Sequence, residues 1–182
     1  SGHPDNTTSE EQEWLLAATP KFKEMHQRHS LYYHTQMSTY NGDDGMVVGG
    51  HIDDAAYAPL YFGYGQKGYN FDRELVMHQV EKTILYFTRD SVIVHITADT
   101  DVIKQRMKDD PHENDIVKPD DVDNVKKRFK ELVDWSLLGN KITIDNSGAL
   151  VDTMAQFVNK IEPYLTDTDR SRLLAHKVLS GG

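Results

Sequence analysis

Apolar and polar residues recur along the chain with two periods, one typical of helices and one typical of buried strands. The segment 72–89 carries apolar residues at helical spacing and predicts a long amphipathic helix. The segment 91–98, SVIVHITA, is a nearly continuous apolar run, as in parallel strands that are covered on both faces. Shorter runs predict a buried strand at 46–48, MVV, and another strand at 141–145, KITID.

Helices are predicted before, between and after these strands. Thr8 and Glu11 match a capping box at the start of the first helix, and Pro20 is expected to break or kink that helix. Gly139 is expected to end a later helix. Strands that alternate with helices favour an α/β fold, a three-layer parallel sheet with helices on both faces, in one domain over 1–182. The remaining helices are predicted at 29–40, 100–109, 121–139 and 148–165, with a helical tail at about 166–182, and polar turns at 41–45 and 110–121.

Composition narrows the class of protein. The 182 residues suit one domain, and the formal net charge of −9 disfavours a general nucleic-acid binder, although an acceptor attached to a nucleic acid stays open. The absence of cysteine excludes disulfides and cysteine-ligated zinc. No apolar run approaches the roughly 18 residues of a membrane span, and the polar first residues do not match a signal peptide. We therefore expect a cytoplasmic protein that acts on a small molecule.

The order of motifs along the chain is more informative than any single motif. RHSLYYHTQ at 28–36 precedes the predicted strand at 46–48, which is followed by two glycines and HIDDAAYAPLYFG at 51–63. After the long helix come ITADTDVIKQRM at 96–107, a polar connection, a helix, and the strand at 141–145, which is followed by Asn-Ser-Gly. This succession resembles the P-loop nucleoside and nucleotide kinases, specifically the thymidylate kinase and deoxynucleoside kinase group, over roughly residues 28–160.

The resemblance implies transfer of the γ-phosphoryl group of ATP, with Mg²⁺, to the hydroxyl or phosphate of a nucleoside or nucleotide. In this family a carboxylate at the end of the third strand binds metal or activates the acceptor hydroxyl. Asp53 or Asp54 would take that role here, with Asp53 as the metal ligand. An arginine normally follows the carboxylate and holds phosphate, but Gly49-Gly50 stand in place of that pair, and nothing nearby in the sequence replaces the arginine.

The same motifs imply roles for further side chains. Positioned cations are the main catalytic device in phosphoryl transfer, so a lid over about 106–118 would supply Arg106 as a catalytic residue, with Lys108 and His112 beside it. Lys108 would also help to bind ATP, as would the loop after the last strand through Ser147 and Gly148. The residues implied for binding the acceptor are Arg28, Tyr33, Gln36, His51, Tyr57 and Tyr61.

Most of these residues also have a structural interpretation, which stays open at this point. Asp53 and Asp54 would serve equally well as helix N-caps. Tyr57 and Tyr61, one helical turn apart, would serve as core packing, and Arg106 as a solvated helix residue.

A histidine-based metal site is disfavoured. His26 and His29 are three residues apart, and His34 follows, but no further ligand stands at a characteristic spacing. Solvated or core histidines are the favoured interpretation.

The phosphate-binding loop of this kinase group, GxxxxGK[ST], does not occur in the sequence. We expect an upstream part of a longer polypeptide to supply it, with a partner chain or a rewired sheet as alternatives, and we expect these 182 residues alone to be inactive. Two other interpretations stay open: a non-catalytic relative that keeps the fold and binds nucleotides, and an unrelated α/β domain. The helices at 29–40 and 72–89 would also allow a homodimer.

Overall fold

The structure is a computed structural model, which describes residues 8–40, 45–111 and 116–180, apart from the side chain of Ser38. This part of the chain is α/β, as predicted, and its two strands are parallel. The elements are α1 (Ser9–Ala17), α2 (Pro20–His34), α3 (His51–Tyr57), α4 (Arg73–Phe87), β1 (Val92–Thr97), α5 (Thr100–Asp109), α6 (Val122–Trp135), β2 (Asn140–Asp145), α7 (Leu150–Ile161) and α8 (Asp167–Leu179). Short 3₁₀ turns lie at Met37–Tyr40, Pro119–Asp121 and Glu162–Tyr164, and a π-helical turn at Ala58–Phe62.

Local sequence signals place several helix ends where they were predicted. The Thr8 hydroxyl accepts from the backbone N–H of Glu11, whose carboxylate accepts from the backbone N–H of Thr8, which is the predicted capping box. Pro20 occupies the first turn of α2, where its missing N–H costs nothing, so it separates α1 from α2 as predicted. The Asp72 carboxylate caps α4 by accepting from the Glu74 N–H at 3.0 Å, which fixes the start of the predicted long helix.

Strands β1 and β2 pair in parallel, and the described residues contain no third strand of this sheet. Val94 lies opposite Ile142, and Ile96 lies opposite Ile144. The two isoleucines of β2 are buried, whereas Val94 and Ile96 of β1 are 37% and 60% exposed. The expectation that 91–98 is covered on both faces is therefore wrong for this part of β1.

The predicted buried strand at 46–48 is also wrong. Met46, Val47 and Val48 form no strand and are exposed. A strand needs a neighbour to accept its ladder of hydrogen bonds, and the described residues provide none for this segment. Residues 41–44 of the predicted turn lie outside the described ranges.

Two predicted helices are shorter than their sequence patterns suggested. The helix at 29–40 ends with α2 at His34, where Thr35 folds its hydroxyl back onto the Leu31 carbonyl oxygen at 2.8 Å. The helix that was expected to end at Gly139 ends at Trp135, because the following residues turn to bind a buried carboxylate on α4.

The chain forms two compact units, which we describe separately. One consists of the described residues up to Arg89 together with Lys127–Leu137, and the other of Asp90–Lys126 together with the described residues from Leu138 onward. The prediction of a single domain over 1–182 stays a prediction. The first unit has a small apolar core, made of Ala55, Ala56, Met77 and Leu132 with Ile52 and Phe129 packed against it. Over the described ranges, no helix has both the length and the apolar character needed to cross a membrane.

Candidate functional site

The start of α3 is set by two glycines that adopt a left-handed backbone. Gly49 and Gly50 have φ angles of 79° and 101°, which residues with a side chain rarely adopt. A Cβ atom on Gly49 would lie 2.9 Å from Oδ2 of Asp53, so an added side chain would also require the Asp53 carboxylate to move. The Gly-Gly pair thereby brings His51 and Asp53 onto the first turn of α3.

Asp53 is a half-buried carboxylate at this turn. Burial raises its pKa above the usual value, and the nearby His51 ring opposes the shift. The pKa of Tyr57, one turn later on α3, is also raised by burial and by the charge of Asp53. Gly50 is the N-cap of α3 and no side chain caps it, so the interpretation of Asp53 and Asp54 as N-caps is wrong. Asp53 is therefore a carboxylate with a raised pKa, one helical turn before Tyr57 on α3.

Asp54 belongs to a buried ionic cluster in the same unit. Its Oδ2 lies 2.9 Å from Nε of Arg73, and its Oδ1 accepts from the Tyr64 hydroxyl at 3.0 Å. The same guanidinium reaches Glu24 through Nη2, 3.4 Å from Oε1, and lies 5.0 Å from the centre of the Tyr64 ring. Burial raises the pKa of Asp54, although Arg73 and Tyr64 oppose the shift. Arg73, which is distant from Asp54 in the sequence, therefore pairs with Asp54 in the fold, and the expectation that no arginine takes the phosphate-holding role stays a prediction.

Arg28 lies at the edge of this cluster. Its Nε is 3.3 Å from Oε1 of Glu24, and its guanidinium is 5.2 Å from the centre of the Phe71 ring. Phe71 is more than half exposed, and its φ of 63° is strained for a residue with a bulky side chain. Arg28 thus connects the buried cluster to an exposed aromatic ring.

His51 contacts a second buried carboxylate, Glu81 on α4. Nε2 of His51 lies 3.4 Å from Oε1 of Glu81, whose side chain is fully buried. Oε1 also accepts from the Ser136 hydroxyl at 2.5 Å, and Oε2 accepts from the Leu137 N–H at 2.8 Å. Burial disfavours the charged carboxylate, but the nearby His51 ring and the hydrogen bonds from Ser136 and Leu137 outweigh this effect and hold the pKa of Glu81 below its usual value.

The aromatic rings of Tyr57 and Tyr61 extend the site along the end of α3 and the π-helical turn that follows it. The rings of Tyr57 and Tyr61 are 6.2 Å apart, as their spacing of one turn predicts, and Tyr57 also meets Phe129 edge-on at 5.3 Å. Both tyrosines are only partly buried. The core-packing interpretation therefore describes part of each ring, and the rest is open to solvent.

Two residues expected at the acceptor site, Tyr33 and Gln36, lie apart from α3 in the sequence. Tyr33 meets His34 edge-on at 5.4 Å. Gln36 lies in the bend after α2 rather than on the helix, and its backbone carbonyl accepts from the Thr39 N–H at 2.9 Å.

In the second unit, the loop after β2 joins the carboxyl ends of both strands. The Ser147 hydroxyl donates to Oδ1 of Asp145 at 2.6 Å and accepts from the Asp99 N–H at 2.8 Å. Hydrogen bonds from Ser147 hold the pKa of Asp145 below its usual value. Gly148 follows in an exposed position. Ser147 thus fixes the strand ends where a ligand of a parallel sheet would be expected.

The predicted lid residues are exposed where they are described. Arg106 and Lys108 lie on the last turn of α5 with their side chains toward solvent. His112 lies outside the described residues, as do residues 113–115 of the predicted lid. The predicted site residues are thus divided between the two compact units: Arg28, Tyr33, Gln36, His51, Asp53, Asp54, Tyr57 and Tyr61 in the first, and Arg106, Lys108, Ser147 and Gly148 in the second.

Sequence reasoning missed Glu24, Arg73 and Glu81. Each is a charged residue on an amphipathic helix, where a charge is usually solvated, and no sequence signal marks these three as buried. Within the described part of the chain, no three His, Asp or Glu side chains converge as a metal site.

Comparison with known proteins found no similar protein. Family models, curated proteins and solved structures were all searched, and none of them matches this chain.

The pKa shifts predict opposite pH effects for two carboxylates of the first unit. The lowered pKa of Glu81 contributes stability that is fully present above its ordinary value of 4.5 and is lost as the pH falls through the folded-state value. The raised pKa of Asp53 contributes stability that is present below its ordinary value of 3.8 and is lost as the pH rises through the folded-state value.

Urea midpoints measured across the acidic range test this prediction. Relative to the original chain, Glu81→Gln is expected to lose most stability above pH 4.5 and less at lower pH. Asp53→Asn is expected to gain relative stability as the pH rises above 3.8. Midpoint curves that run parallel for all three proteins would contradict the assignment.

Proposed function

We propose that this chain is the acceptor-binding part of an ATP-dependent phosphotransferase of the P-loop nucleoside and nucleotide kinase group. It would position a nucleoside-type acceptor for transfer of the γ-phosphoryl group of ATP, with Mg²⁺. The observation that carries the proposal is the Gly49–Gly50 turn, which sets the half-buried Asp53 carboxylate beside the partly exposed ring of Tyr57. A weakly acidic carboxylate suits proton transfer from a hydroxyl, and an exposed tyrosine ring suits stacking on a base.

Within this proposal Asp53 and Asp54 have different roles. Asp54 is paired with Arg73 and buried, so it supports α3 rather than touching a ligand. Asp53 would bind Mg²⁺ or accept the proton of the acceptor hydroxyl. Tyr57 and Tyr61 would line the base, and Arg28, Tyr33 and Gln36 stay candidates for further acceptor contacts. Arg106 and Lys108 would approach the transferred phosphoryl group, and Ser147 and Gly148 would support the adenine of ATP.

The proposal includes a larger sheet than the described pair of strands. Val94 and Ile96 are exposed on β1, although parallel strands are normally covered on both faces. Further strands and helices that cover them would give the three-layer parallel sheet of this kinase group. The proposal also requires a phosphate-binding loop from elsewhere in the polypeptide or from a partner chain, since the sequence has no Gly-Lys-Ser or Gly-Lys-Thr.

A second candidate function is a non-catalytic member of the same group that binds nucleosides or nucleotides. The pairing of Asp54 with Arg73 favours it, because both groups are buried and neither is free to hold metal or phosphate. The two functions share the binding step and differ in turnover.

Calorimetric titration of the 182-residue chain with nucleosides and nucleoside monophosphates tests the shared step. We expect binding, and we expect Tyr57→Ala to weaken it by about 5- to 150-fold, the range for loss of one base–aromatic stack. Tyr86→Ala is the matched control, because Tyr86 is an exposed tyrosine of the same unit on α4. If no nucleoside or nucleotide binds, both functions are excluded.

Turnover separates the two functions and needs the longest polypeptide that contains this chain. With Mg²⁺-ATP and a bound acceptor, the kinase predicts release of ADP, and Asp53→Asn is expected to lower kcat by about 10²- to 10⁴-fold while acceptor binding persists. Acceptor binding without ADP release would instead establish the non-catalytic function.

A further inference from the structure

Glu81 is a buried carboxylate to which the proposed function gives no role. Its side chain is fully buried, and both oxygens accept hydrogen bonds, Oε1 from the Ser136 hydroxyl and Oε2 from the Leu137 N–H. These two donors lie just beyond the end of α6 and hold the carboxylate in one orientation. The His51 ring of α3 lies against this carboxylate, with Nε2 of His51 3.4 Å from Oε1 of Glu81.

This arrangement selects one tautomer of a neutral His51. A lone pair on Nε2 would face the negative oxygen of Glu81 and be repelled, whereas an N–H at Nε2 is attracted. The distance of 3.4 Å is longer than a well-formed hydrogen bond, so the attraction is mainly between charge and dipole. Burial of Glu81 strengthens it, because no solvent screens the carboxylate.

The tautomer leaves the other ring nitrogen, Nδ1, with a free lone pair. The His51 side chain as a whole is 15% exposed, but its Nε2 atom is buried. The exposed part of the side chain therefore lies away from Nε2. Among the described residues, no hydrogen bond to Nδ1 is found. Asp53 lies two residues further on the same turn. His51 therefore presents a hydrogen-bond acceptor in the segment that carries Asp53.

The charges around His51 discriminate between possible acceptor molecules. The carboxylates that act on it are Asp53 and Asp54 on α3 and Glu81 on α4. Arg73 neutralises Asp54, but no Lys or Arg in the described ranges lies within ion-pair distance of Asp53 or Glu81. Without a bound cation, a phosphate dianion would be repelled here, whereas an uncharged hydroxyl would donate to Nδ1.

We propose that Glu81 is a positioning residue that holds His51 in its Nε2–H tautomer, so that Nδ1 accepts a hydrogen bond from the hydroxyl of an uncharged nucleoside. The proposal rests on the proposed function and narrows its substrate class from nucleosides and nucleotides to nucleosides. It involves no bond making, and the proton of the hydroxyl stays on its oxygen in this complex.

The tautomer can be measured without any activity. Long-range ¹H–¹⁵N spectra of the ¹⁵N-labelled chain at mildly alkaline pH distinguish a protonated from an unprotonated ring nitrogen. We expect His51 to show Nε2–H with Nδ1 unprotonated, and we expect Glu81→Gln to convert it to a mixture of tautomers. A wild-type His51 with its hydrogen on Nδ1 would overturn the proposal, whatever the chain binds.

Two substitutions of His51 separate the two ring nitrogens and leave Glu81 with its other donors. In His51→Gln the amide can still donate toward Glu81, but the acceptor at the Nδ1 position is lost. In His51→Asn the shorter amide keeps an acceptor near the Nδ1 position and loses the contact with Glu81. We expect His51→Gln to weaken nucleoside binding by about 3- to 10-fold, the range for one lost hydrogen bond, and His51→Asn to weaken it less.

Titration with the common nucleosides, their 5′-deoxy analogues and their 5′-monophosphates completes the test. We expect the parent nucleoside to bind about 3- to 10-fold more tightly than its 5′-deoxy analogue, and this difference to vanish in His51→Gln. If parent and analogue bind equally, or the monophosphate binds best, this proposal fails and the proposed function stands. If no nucleoside or nucleotide binds, the proposed function fails, and this proposal with it.

Discussion

Replacing Arg73 by methionine is expected to lower the free energy of unfolding of the first unit by about 3–5 kcal/mol, the cost of removing one partner from a buried ion pair. The Arg73 side chain is fully buried, and its guanidinium stands between the carboxylates of Asp54 and Glu24. Methionine fills much of the same volume but, among the described residues, leaves Asp54 with the Tyr64 hydroxyl as its one hydrogen-bond donor. Asp54 must then be neutralised by protonation or drawn toward water, and both destabilise α3.

Urea unfolding followed by tryptophan fluorescence measures this effect in the relevant unit. The sequence has two tryptophans, Trp14 and Trp135, and both belong to the first unit. Arg28→Met is the matched control: Arg28 pairs with the same Glu24 but is 38% exposed, so about 1 kcal/mol or less is expected. Equal losses for the two variants would show that the burial of Arg73 does not matter.

A double variant distinguishes loss of charge pairing from loss of packing. Asp54→Asn removes the charge that Arg73→Met leaves unpaired, so the double variant should be more stable than the sum of the two single losses implies. Groups in direct contact typically couple by about 0.5–3 kcal/mol, and the cycle should fall within that range. Strict additivity would mean that the cluster acts only through its shape.

Elements of the fold could be predicted from the sequence wherever they depend on residue preferences within one turn of helix or within one strand. The capping box at Thr8, the break at Pro20, and the helix that begins after Asp72 all follow from groups within one turn of each other. β1 and β2 were also predicted, because β-branched residues mark them directly. These elements needed no knowledge of which segment packs against which.

The segment 46–48 shows why the rest of the fold could not be predicted. Met46, Val47 and Val48 have the residue types of a strand, but a strand exists only when a neighbour pairs with it, and no local pattern states where that neighbour is. The same limit applies to β1. Its sequence predicted a strand covered on both faces, but Val94 and Ile96 are exposed.

The candidate site was predicted in part, for a similar reason. HIDDAAYAPLYFG identified Asp53 and Tyr57 on α3 and Tyr61 on the π-helical turn that follows, because these residues are close together in the sequence. Arg73 and Glu81 were missed because they meet Asp54 and His51 across tens of residues, through packing of α4 on α3. A sequence read without an alignment gives no sign that a charge on a helix faces inward.

Gly65→Ala is expected to lower the free energy of unfolding of the first unit by about 2–5 kcal/mol. Two costs add. Gly65 has a φ of 81°, where an alanine is strained by about 1–2 kcal/mol. A Cβ atom there would also lie 2.4 Å from Cγ and 3.1 Å from Cβ of Arg73, and overpacking of a buried site costs about 1–3 kcal/mol. Arg73 cannot yield easily, because Asp54 and Glu24 hold its far end.

Gly68 in the same loop separates the two costs. Its φ of 79° nearly equals that of Gly65, but a Cβ atom there meets nothing within 4 Å. Gly68→Ala should therefore show the backbone strain alone, about 1–2 kcal/mol in the urea midpoint followed by tryptophan fluorescence. The excess loss in Gly65→Ala measures the contact with Arg73, so it should shrink when Gly65→Ala is made in the Arg73→Met background, where methionine is free to move. An excess that persists unchanged in that background would mean that the loop itself, and not the buried arginine, resists the added methyl group.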